Sequence, residues 1–334
     1  MTEEETPALG EILRAAREAA GWSLSRTGLA TGFSKPYLSK LETGEKEVKP
    51  WHIAAYDKVF GGSSVRRRAV LIMGASFVSR AIWAELDMPA APPARVDPQE
   101  LVALEASADM LTGLGLRHGG RAAVAAARGQ LRYAAGLLDL DMPDSVRTTL
   151  MTTVGRLADR TAWSMADSGQ IKQADKVYDF ALTVTPDPAQ HWLTLVNLAN
   201  LRIGESQPQR ALALLDRDDP GIPVLRFLVR STRAHAYAQL GDFSRTVRNV
   251  ADADAAHAAV DLSDLPAAVD PYVSGHAAHA HSAAGRALYV LACSGRRKAS
   301  PLASQRLEAA VEAFGVERAR AIASCQRRLR VLCG

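Results

Sequence analysis

Apolar residues recur at intervals of three and four positions along most of the chain, which is the spacing of one face of an α-helix. Near the beginning of the chain, glycine interrupts this pattern at short intervals, and glycine commonly ends a helix. The pattern predicts four short helices, over residues 9–20, 24–31, 35–41 and 50–60. Such helices, with a glycine turn at Gly32 between the second and the third, are typical of a helix-turn-helix unit.

The third predicted helix has one apolar and one polar face. Leu38 and Leu41 lie three positions apart and are expected to point into the bundle. Ser34 can cap the helix, and a proline is tolerated in its first turn because no amide donor is needed there. An α-helix fits the major groove of DNA, and its first half presents side chains to the base edges. We therefore expect base contacts from the outward residues Lys35, Pro36, Ser39 and Lys40.

Contacts to the DNA backbone are expected from residues around this helix. The hydroxyl of Ser34, together with the free amide groups at the helix start, suits a phosphate. Arg26 near the start of the second helix is expected to hold a phosphate, as are Lys46 and Lys49 after the third. For Tyr37 the sequence leaves two interpretations open, namely packing against the second helix or a contact with a phosphate.

Two stretches of this region, Gly21–Leu24 (GWSL) and Gly32–Gly44 (GFSKPYLSKLETG), resemble the XRE/phage-repressor-like helix-turn-helix family. The resemblance covers residues 9–61, about one sixth of the chain. It implies that Gly32–Gly44 forms the recognition helix and the turn that follows it. Because modules of this kind usually need two copies on half-sites about one helical turn apart, we expect a homodimer on an inverted-repeat operator.

Four other residues of this region are expected to serve the packing of the bundle. Trp22 is assigned to the core. Glu42 would repel phosphates, so it is expected to pair with a basic residue inside the bundle. The family usually has a Leu-Ala pair in the second helix, where this chain has Thr27 and Gly28. Gly28 allows the second and third helices to approach closely, but Thr27 is expected to hold the second helix less firmly.

Positive charge is concentrated in the same region. Residues 14–68 carry 11 Lys and Arg against 5 Asp and Glu, whereas residues 69–334 carry 29 against 27. A short segment with such an excess of positive charge fits a polyanionic partner. Charge alone is equally compatible with a solvated helical surface, so the residue spacing decides in favour of double-stranded DNA.

The composition agrees with a helical globular protein. Of the 334 residues, 48% are apolar, which allows a sizeable core, and 23% are charged, which argues against wholesale disorder. Aromatic residues make up 6%, and Ala and Leu dominate over Val, Ile and Thr, which favours helix over sheet. We expect an all-α fold in which a helix-turn-helix bundle precedes an array of helical hairpins.

No segment predicts export or insertion into a membrane. The first residues are acidic and lack an apolar stretch, unlike a secretory signal. The longest uncharged apolar run, residues 69–79, is too short to span a bilayer. The cysteines Cys293, Cys325 and Cys333 lack CxxC spacing and imply no disulfide framework. We expect a soluble, cytoplasmic protein that does not contact membranes.

The chain divides into three parts. Residues 1–62 are assigned to the helix-turn-helix domain. Residues 63–98 form a connector, with an apolar segment expected to be a buried helix and a proline-rich stretch at 89–93 that is typical of a boundary. Residues 99–334 are assigned to a domain for sensing and dimerisation.

The third part shows a degenerate internal repeat. Gly169, Gly204 and Gly241 fall between apolar helical stretches at intervals of 35 and 37 residues. After Gly169, small or aromatic residues and a proline follow at offsets of 5, 9, 12 and 17, namely Ala174, Tyr178, Ala181 and Pro186. These offsets are similar to those of the tetratricopeptide (TPR) repeat, and the later units match less well. The resemblance implies TPR-like helical hairpins.

Repeats of this kind line a concave surface that usually binds peptides or elongated ligands. Two asparagines three positions apart suit an extended peptide backbone, because each amide both donates and accepts. For each single residue, a solvent-exposed polar position without a ligand is the open alternative. Transferring the inward offsets of the repeat places eight residues on this surface: Arg156, Asp159, Trp163, Asn197, Asn200, Ser231, His235 and Gln239.

Other candidate chemistry is discounted. Three histidines, His276, His279 and His281, lack a carboxylate or thiolate at ligand spacing, so no metal site is expected. No phosphate-binding glycine loop and no nucleophile motif occurs in the sequence, so neither an enzyme nor a cofactor is expected.

The sequence as a whole predicts a transcriptional regulator. Its plan resembles the peptide-sensing regulators of Gram-positive bacteria, which join the same type of helix-turn-helix to a repeat array. A peptide or a small molecule is the expected effector. Two alternatives stay open: a scaffold that binds a partner protein, and a repressor of the phage or antitoxin type that needs no effector.

Overall fold

The described part of the chain is built from helices. The computed structural model describes residues 9–46, 48, 50–60, 96, 98–269 and 277–333. Within these residues the regular structure is helical and no strand occurs, which confirms the all-α prediction. None of the described helices is both long and apolar enough to cross a membrane.

Three sequence predictions fall outside the described residues. They are the connector helix with its proline-rich boundary within residues 61–95, the phosphate contact of Lys49, and the position of His276.

The N-terminal bundle has its four helices where the sequence predicts them, to within one residue. They are α1 (Leu9–Ala19), α2 (Leu24–Thr31), α3 (Lys35–Glu42) and α4 (Pro50–Phe60). The buried apolar side chains come from α1, α3, α4 and the segment before α4, and they are Ile12, Leu13, Leu38, Leu41, Val48, Ile53 and Tyr56. This small core fixes α3 from one side and leaves its other side to solvent.

Local sequence sets the turn between α2 and α3. The Ser23 Oγ accepts a hydrogen bond from the amide of Arg26 (3.2 Å), and the Ser34 Oγ accepts one from the amide of Tyr37 (3.4 Å). Gly32 ends α2 with a φ of +79°, a conformation that favours glycine. These caps and the turn separate α2 from α3 as two distinct helices.

The helices of the bundle approach closely at two glycines. A Cβ atom at Gly10 would lie 2.3 Å from the carbonyl oxygen of Leu41, and one at Gly28 would lie 2.7 Å from that of Phe33. The prediction that Thr27 holds α2 less firmly is not supported. Thr27 is fully buried, and its hydroxyl donates to a main-chain carbonyl of the preceding turn (3.1 Å).

The C-terminal body consists of eleven further α-helices among the described residues, and most neighbours along the chain pack against each other. They are α5 (Pro98–His118), α6 (Gly120–Leu137), α7 (Asp144–Asp167), α8 (Ile171–Val184), α9 (Pro188–Gly204), α10 (Pro208–Leu215), α11 (Pro223–Gln239), α12 (Phe243–Ala258), α13 (Ala277–Cys293), α14 (Ser300–Ala313) and α15 (Ala319–Cys333).

Four helices of the body, α7, α9, α11 and α13, end in the same way. In each case a residue in the left-handed conformation donates its amide hydrogen to the carbonyl oxygen three positions before it. The amide of the following residue donates to the carbonyl oxygen five positions before that residue. This is the hydrogen-bond pattern of a Schellman turn. The left-handed residues are Gly169, Ser206, Gly241 and Gly295, with φ values of 86°, 60°, 70° and 90°.

The sequence places the second of these turns at Gly204, and this is wrong. Gly204 is the last residue of α9, and the left-handed conformation falls two residues later on Ser206. Because the glycine does not occupy the turn, the interval between glycines misplaces the second hairpin by two residues.

The hairpin of α7 and α8 packs as the sequence predicts. Ala174 and Ala181 are fully buried, and Tyr178 is nearly so. A Cβ atom at Gly155 would lie 2.6 Å from the Cβ of Thr185, so this face of α7 tolerates only glycine against the end of α8. This close packing fixes α7, and side chains from the end of α7 line a cavity in the body.

Candidate nucleic-acid interface and ligand cavity

Helix α3 has a buried and an exposed side. Leu38 and Leu41 are fully buried, whereas Lys35, Pro36 and Lys40 are exposed and Ser39 is partly exposed. Positions three and four apart are neighbours on a helix, so Lys35 lies beside Ser39, and Pro36 beside Lys40. We name the four residues Lys35, Pro36, Ser39 and Lys40 the outer face of α3.

The basic residues of the bundle fall into two groups. Arg14 and Arg17 form ion pairs with acidic residues of the bundle. By contrast, four cations make no ion pair within the described residues: Arg26, Lys35, Lys40 and Lys46. All four are exposed. Cations without an acidic partner in the protein are the ones available to neutralise DNA phosphates.

Tyr37 is engaged inside the bundle. Its hydroxyl lies 2.9 Å from Nε2 of the buried His52 on α4, and its ring stacks on Phe33 with 5.5 Å between ring centroids. The Nζ of Lys46 lies 4.2 Å from the centroid of the Tyr37 ring. Of the two interpretations that the sequence leaves open, these contacts favour packing, although the partner is α4 rather than α2.

Two residues at the start of α2 and α3 frame the outer face. The Ser34 hydroxyl uses an oxygen lone pair to cap α3, which leaves its proton available to a phosphate oxygen. The guanidinium of Arg26 lies 4.1 Å from the ring centroid of Trp22. The assignment of Trp22 to the core needs correction, because its ring is only half-buried between Arg26 and the edge of Phe60 (5.2 Å between centroids).

The end of α3 is held by a buried carboxylate. Glu42 accepts hydrogen bonds from Nε and Nη2 of Arg17 on α1, at 2.8 and 2.7 Å, and from the hydroxyl of Tyr56 on α4, at 2.7 Å. Burial, reinforced by this bond to Glu42, raises the pKa of Tyr56. The prediction that Glu42 pairs with a basic residue inside the bundle is confirmed, and the network joins three of the four helices.

A cavity of about 590 Å³ lies in the body, between α7, α9, α11 and α13. Four of the eight residues that the sequence assigns to a ligand line it together: Trp163, Asn197, Asn200 and Ser231. Apolar side chains form much of the remaining wall, among them Leu193, Val196, Phe227 and Leu228. A concave, largely apolar space with a few polar groups is the usual form of a small-molecule or peptide site.

The other four predicted residues do not line this cavity, and their assignment needs correction. Arg156 forms an ion pair with Asp109 on α5. Gln239 donates from Nε2 to the main-chain oxygen of Ile203 (2.9 Å) and so joins α11 to α9. His235 is half-buried, with its Nδ1 atom inside the protein, and desolvation together with the charge of Arg286 lowers its pKa well below the ordinary value.

Asp159, the fourth of these residues, is fully buried beneath the cavity. Its carboxylate lies 2.7 Å from the guanidinium of Arg160 and accepts hydrogen bonds from Nδ2 of Asn197 at 3.0 and 3.1 Å. Burial raises the pKa of Asp159. Its role is therefore to orient Asn197, which itself lines the cavity.

Sequence reasoning missed Arg286 and Thr232. Asn200 donates from Nδ2 to the Thr232 Oγ1 (3.2 Å), and Nη2 of Arg286 lies 3.4 Å from the Asn200 Oδ1. Burial, with the nearby charge of Arg328, lowers the pKa of Arg286 to about 10, so its guanidinium stays charged at neutral pH. A single arginine within the apolar stretch Ala277–Cys293 is the sequence signal that could have revealed it.

The discounted histidines of α13 have arginine partners. His279 accepts a hydrogen bond at Nε2 from Arg318, and His281 accepts one at Nδ1 from Arg306 (3.1 Å). Burial and the charge of Arg318 lower the pKa of His279 to about 3. Nitrogens turned towards guanidinium groups are poorly placed to bind a metal cation.

Comparison with known proteins bears on the N-terminal part of the chain. Residues 8–70 match a protein-family model described as "Helix-turn-helix domain". The matched range includes all of α1 to α4 and extends past the predicted domain boundary at residue 62. Searches of curated proteins and of solved structures gave no match. The chain therefore carries an N-terminal helix-turn-helix domain of the DNA-binding kind.

Proposed function

We propose that this chain is a sequence-specific transcriptional regulator of the XRE type, in which the N-terminal domain binds an operator and the body binds a signal. The observation that carries the proposal is the division of charge in the bundle. Arg17 is bound to Glu42 in the interior, while Lys35 and Lys40 stand without an acidic partner among the described residues, on the exposed side of α3. Evenly paired surface charge would not favour a polyanion in this way.

The outer face of α3 is proposed to enter the major groove. Lys35 and Lys40 can donate to guanine O6 and N7, Ser39 can donate or accept, and Pro36 can contact a thymine methyl group. Ser34, Arg26, Lys46 and Lys49 are proposed to contact phosphates, which position the helix without reading sequence.

A homodimer on an inverted repeat is part of the proposal. One outer face spans a single half-site, and two copies whose half-sites lie about one helical turn apart multiply the specificity. The body, 99–334, is proposed to form a TPR-like array that dimerises and holds the signal. The recurring Schellman turns and the cavity between α7, α9, α11 and α13 support this assignment. The proposed role includes neither enzymatic activity nor a cofactor.

Ligand binding regulates only if the signal favours one arrangement of the two reading domains over the other. A peptide or small molecule in the cavity contacts four helical hairpins at once, because the cavity is lined from α7, α9, α11 and α13. It can therefore change how these hairpins pack, and the spacing of the two N-terminal domains would follow.

A second candidate, a scaffold for a partner protein, is favoured by two apolar side chains on α5. Val102 and Met110 are 67% and 59% exposed, and exposed apolar side chains on one helix can mark a contact with another protein. In a scaffold, a stoichiometric partner protein would cover them and the DNA-binding domain would only tether the complex.

The experiment that tests the proposal is selection of duplex fragments by the full-length chain from a genomic library. We expect enriched fragments to share an inverted repeat, and two chains to bind each duplex in sedimentation equilibrium. Lys35→Ala with Lys40→Ala should abolish the enrichment. The matched control is Arg14→Ala, which removes an exposed cation paired with Glu18 and should leave it unchanged. Failure to enrich any duplex even at low salt would overturn the proposal.

The signal is tested separately by titrating operator affinity with culture extract. A change in affinity supports sensing. An unchanged affinity favours an effector-independent repressor, and capture of a stoichiometric protein that Val102→Ser with Met110→Ser abolishes favours the scaffold.

A further inference from the structure

The cavity of the body contains a positive charge that the described residues do not neutralise. Arg286 projects into it from α13, and its Nε is buried without a hydrogen-bond partner among the described residues. Its Nη2 approaches the Asn200 Oδ1 at 3.4 Å, which is a long and neutral contact. Within the described part of the chain, Arg286 therefore lacks the carboxylate that a buried guanidinium ordinarily has.

Among the described residues, the two carboxylates that line the cavity already have partners. Asp167 accepts from Nη2 of Arg320 (3.0 Å) and from the amide of Gly120 (2.6 Å). Glu205 accepts from Nη1 of Arg202 (2.7 Å). Neither carboxylate is free to turn towards Arg286 without breaking an existing ion pair. The charge of Arg328, which also acts on Arg286, is positive as well.

The remaining polar groups at this end of the cavity are neutral. Asn200 is held by its bonds to the main-chain oxygen of Val196 (2.9 Å) and to Thr232 (3.2 Å), so its position is fixed before any ligand arrives. His279 is neutral and directs Nε2 towards Arg318. Both Nδ2 hydrogens of Asn200 are already donated, so a ligand anion would find one guanidinium within walls that are otherwise largely apolar.

We infer that the cavity binds a ligand that carries one carboxylate on an apolar body, with the carboxylate paired to Arg286 and the apolar part packed against Trp163 and Phe227. The inference rests on the proposed function, because it names the chemical class of the signal in that cavity. A guanidinium matches a carboxylate in two parallel hydrogen bonds. One cation balances a monoanion, whereas a phosphate dianion would keep an unbalanced charge in an apolar space.

The same chemistry can come from two sources, the C-terminal carboxylate of a hydrophobic peptide or a small organic acid. The cavity volume, about 590 Å³, falls in the range of sites for drug-sized ligands and accommodates a few residues of a peptide. The probes are therefore decanoate and indole-3-acetate for the acids, and the peptide Leu-Val-Phe-Leu with a free C-terminus. Their matched controls are the corresponding amides.

Binding is measured by calorimetric titration of the full-length chain. We expect at least one carboxylate probe to bind, and its amide to bind at least tenfold more weakly. Arg286→Gln should lower the affinity for the carboxylate at least tenfold, and Arg286→Lys should restore part of it. The control Arg297→Gln, which changes an exposed arginine outside the cavity, should have no effect.

A second measurement needs no ligand. Replacing an unpaired buried charge with an apolar side chain of similar volume removes a desolvation penalty, so Arg286→Met should raise the Tm of the ligand-free chain. A lower Tm for this variant would show that Arg286 is a structural residue and would overturn the inference.

The inference is also overturned if the amides bind as tightly as the acids, or if no carboxylate probe binds at millimolar concentration. Its failure is separable from failure of the proposed function. A chain that selects duplex DNA but ignores carboxylates keeps the regulator and loses this ligand class. A chain that binds carboxylates through Arg286 but selects no duplex DNA keeps this ligand class and loses the proposed regulator.

Discussion

Arg17 on α1 and Glu42 at the end of α3 form a two-point ion pair in the interior of the N-terminal bundle. Their side chains are only 12% and 3% exposed, and the two closest contacts measure 2.7 and 2.8 Å. The pair joins the helix that is proposed to read DNA to the helix that begins the domain. The orientation of the outer face of α3 therefore depends on a buried charge as well as on the leucines of the core.

Glu42→Gln tests this dependence. The variant removes the buried anion of Arg17 and leaves it only the longer contact with Glu18 (3.3 Å), and breaking a buried ion pair typically costs about 3–5 kcal/mol. We expect faster hydrogen exchange in residues 9–60 of the full-length chain, unchanged exchange in the body, and loss of DNA binding.

The control for this variant is Arg14→Gln, which breaks the exposed pair of Arg14 and Glu18. That pair should contribute little to stability, because both side chains are exposed and solvent screens their charges. If Glu42→Gln behaves like Arg14→Gln, the buried pair does not hold α3.

Lys40→Ala and Lys46→Ala separate base contacts from phosphate contacts. Lys40 lies on the outer face of α3, so its removal should lower specific affinity by about 1–3 kcal/mol and relax the preference at one base position. Lys46 lies over the Tyr37 ring after α3, so its removal should weaken binding to all sequences and reduce the salt slope by about one. The measurement is fluorescence anisotropy over a salt series with operator and scrambled duplexes. Identical behaviour of the two variants would refute the division.

Ser206→Gly should stabilise the body. Ser206 holds a left-handed conformation, with φ of 60°, which costs a non-glycine residue about 1–2 kcal/mol. The greater freedom of glycine in the unfolded chain offsets about 0.5–1 kcal/mol of this gain. A net increase of about 0.5–1 kcal/mol in the free energy of unfolding is expected in urea titrations.

Gly241→Ala makes the opposite change in the same type of turn, because it replaces a glycine in the left-handed conformation with a residue that has a side chain. Gly241 has a φ of +70° and open space around it, so the substitution strains only the backbone. It should lower the free energy of unfolding by about 1 kcal/mol. A Ser206→Gly variant that is less stable than the native chain would show that the turn needs the serine side chain.

The body should lose stability in mild acid through His279. Its pKa is about 3 in the folded chain because of burial and the charge of Arg318, against 6.5 ordinarily. The folded value is the lower one, so the contribution to stability is complete above pH 6.5 and is lost as the pH falls towards 3. Below pH 6 the free energy of unfolding should fall by about 1.4 kcal/mol per pH unit for each such histidine.

His279→Gln keeps an oxygen to accept from Arg318 and removes the titration. Urea titrations between pH 7 and pH 4.5 should show a slope that is smaller by one proton in this variant. The exposed His118→Gln is the control. An unchanged slope in His279→Gln would mean that another group accounts for the loss of stability in acid.

Local signals made the N-terminal bundle predictable. Ser23 and Ser34 cap helices, and Leu38 and Leu41 mark the buried side of α3, all within one or two turns of the chain. The partial exposure of Trp22 was not predictable in this way, because it depends on whether distant residues cover the ring. The proposed base contacts likewise stay a prediction.

The ligand cavity was only half predictable. Trp163 and Asn200 were predicted because they share a repeat register. The same register also assigned Asp159 to the ligand, but its carboxylate is already bound by Arg160 and Asn197. Arg286 was missed because the feature that marks it is that no carboxylate among the described residues pairs with it. An unbalanced charge becomes visible only when the helices are assembled.

The claim that α3 reads the major groove is tested most directly by methylation interference on a selected operator with the full-length chain. Methylation of guanine N7 blocks major-groove donors such as Lys35 and Lys40. We predict interference in two clusters about 10 base pairs apart, one for each half-site, and its loss at single positions in Lys40→Ala. Interference confined to adenine N3, in the minor groove, would contradict the account.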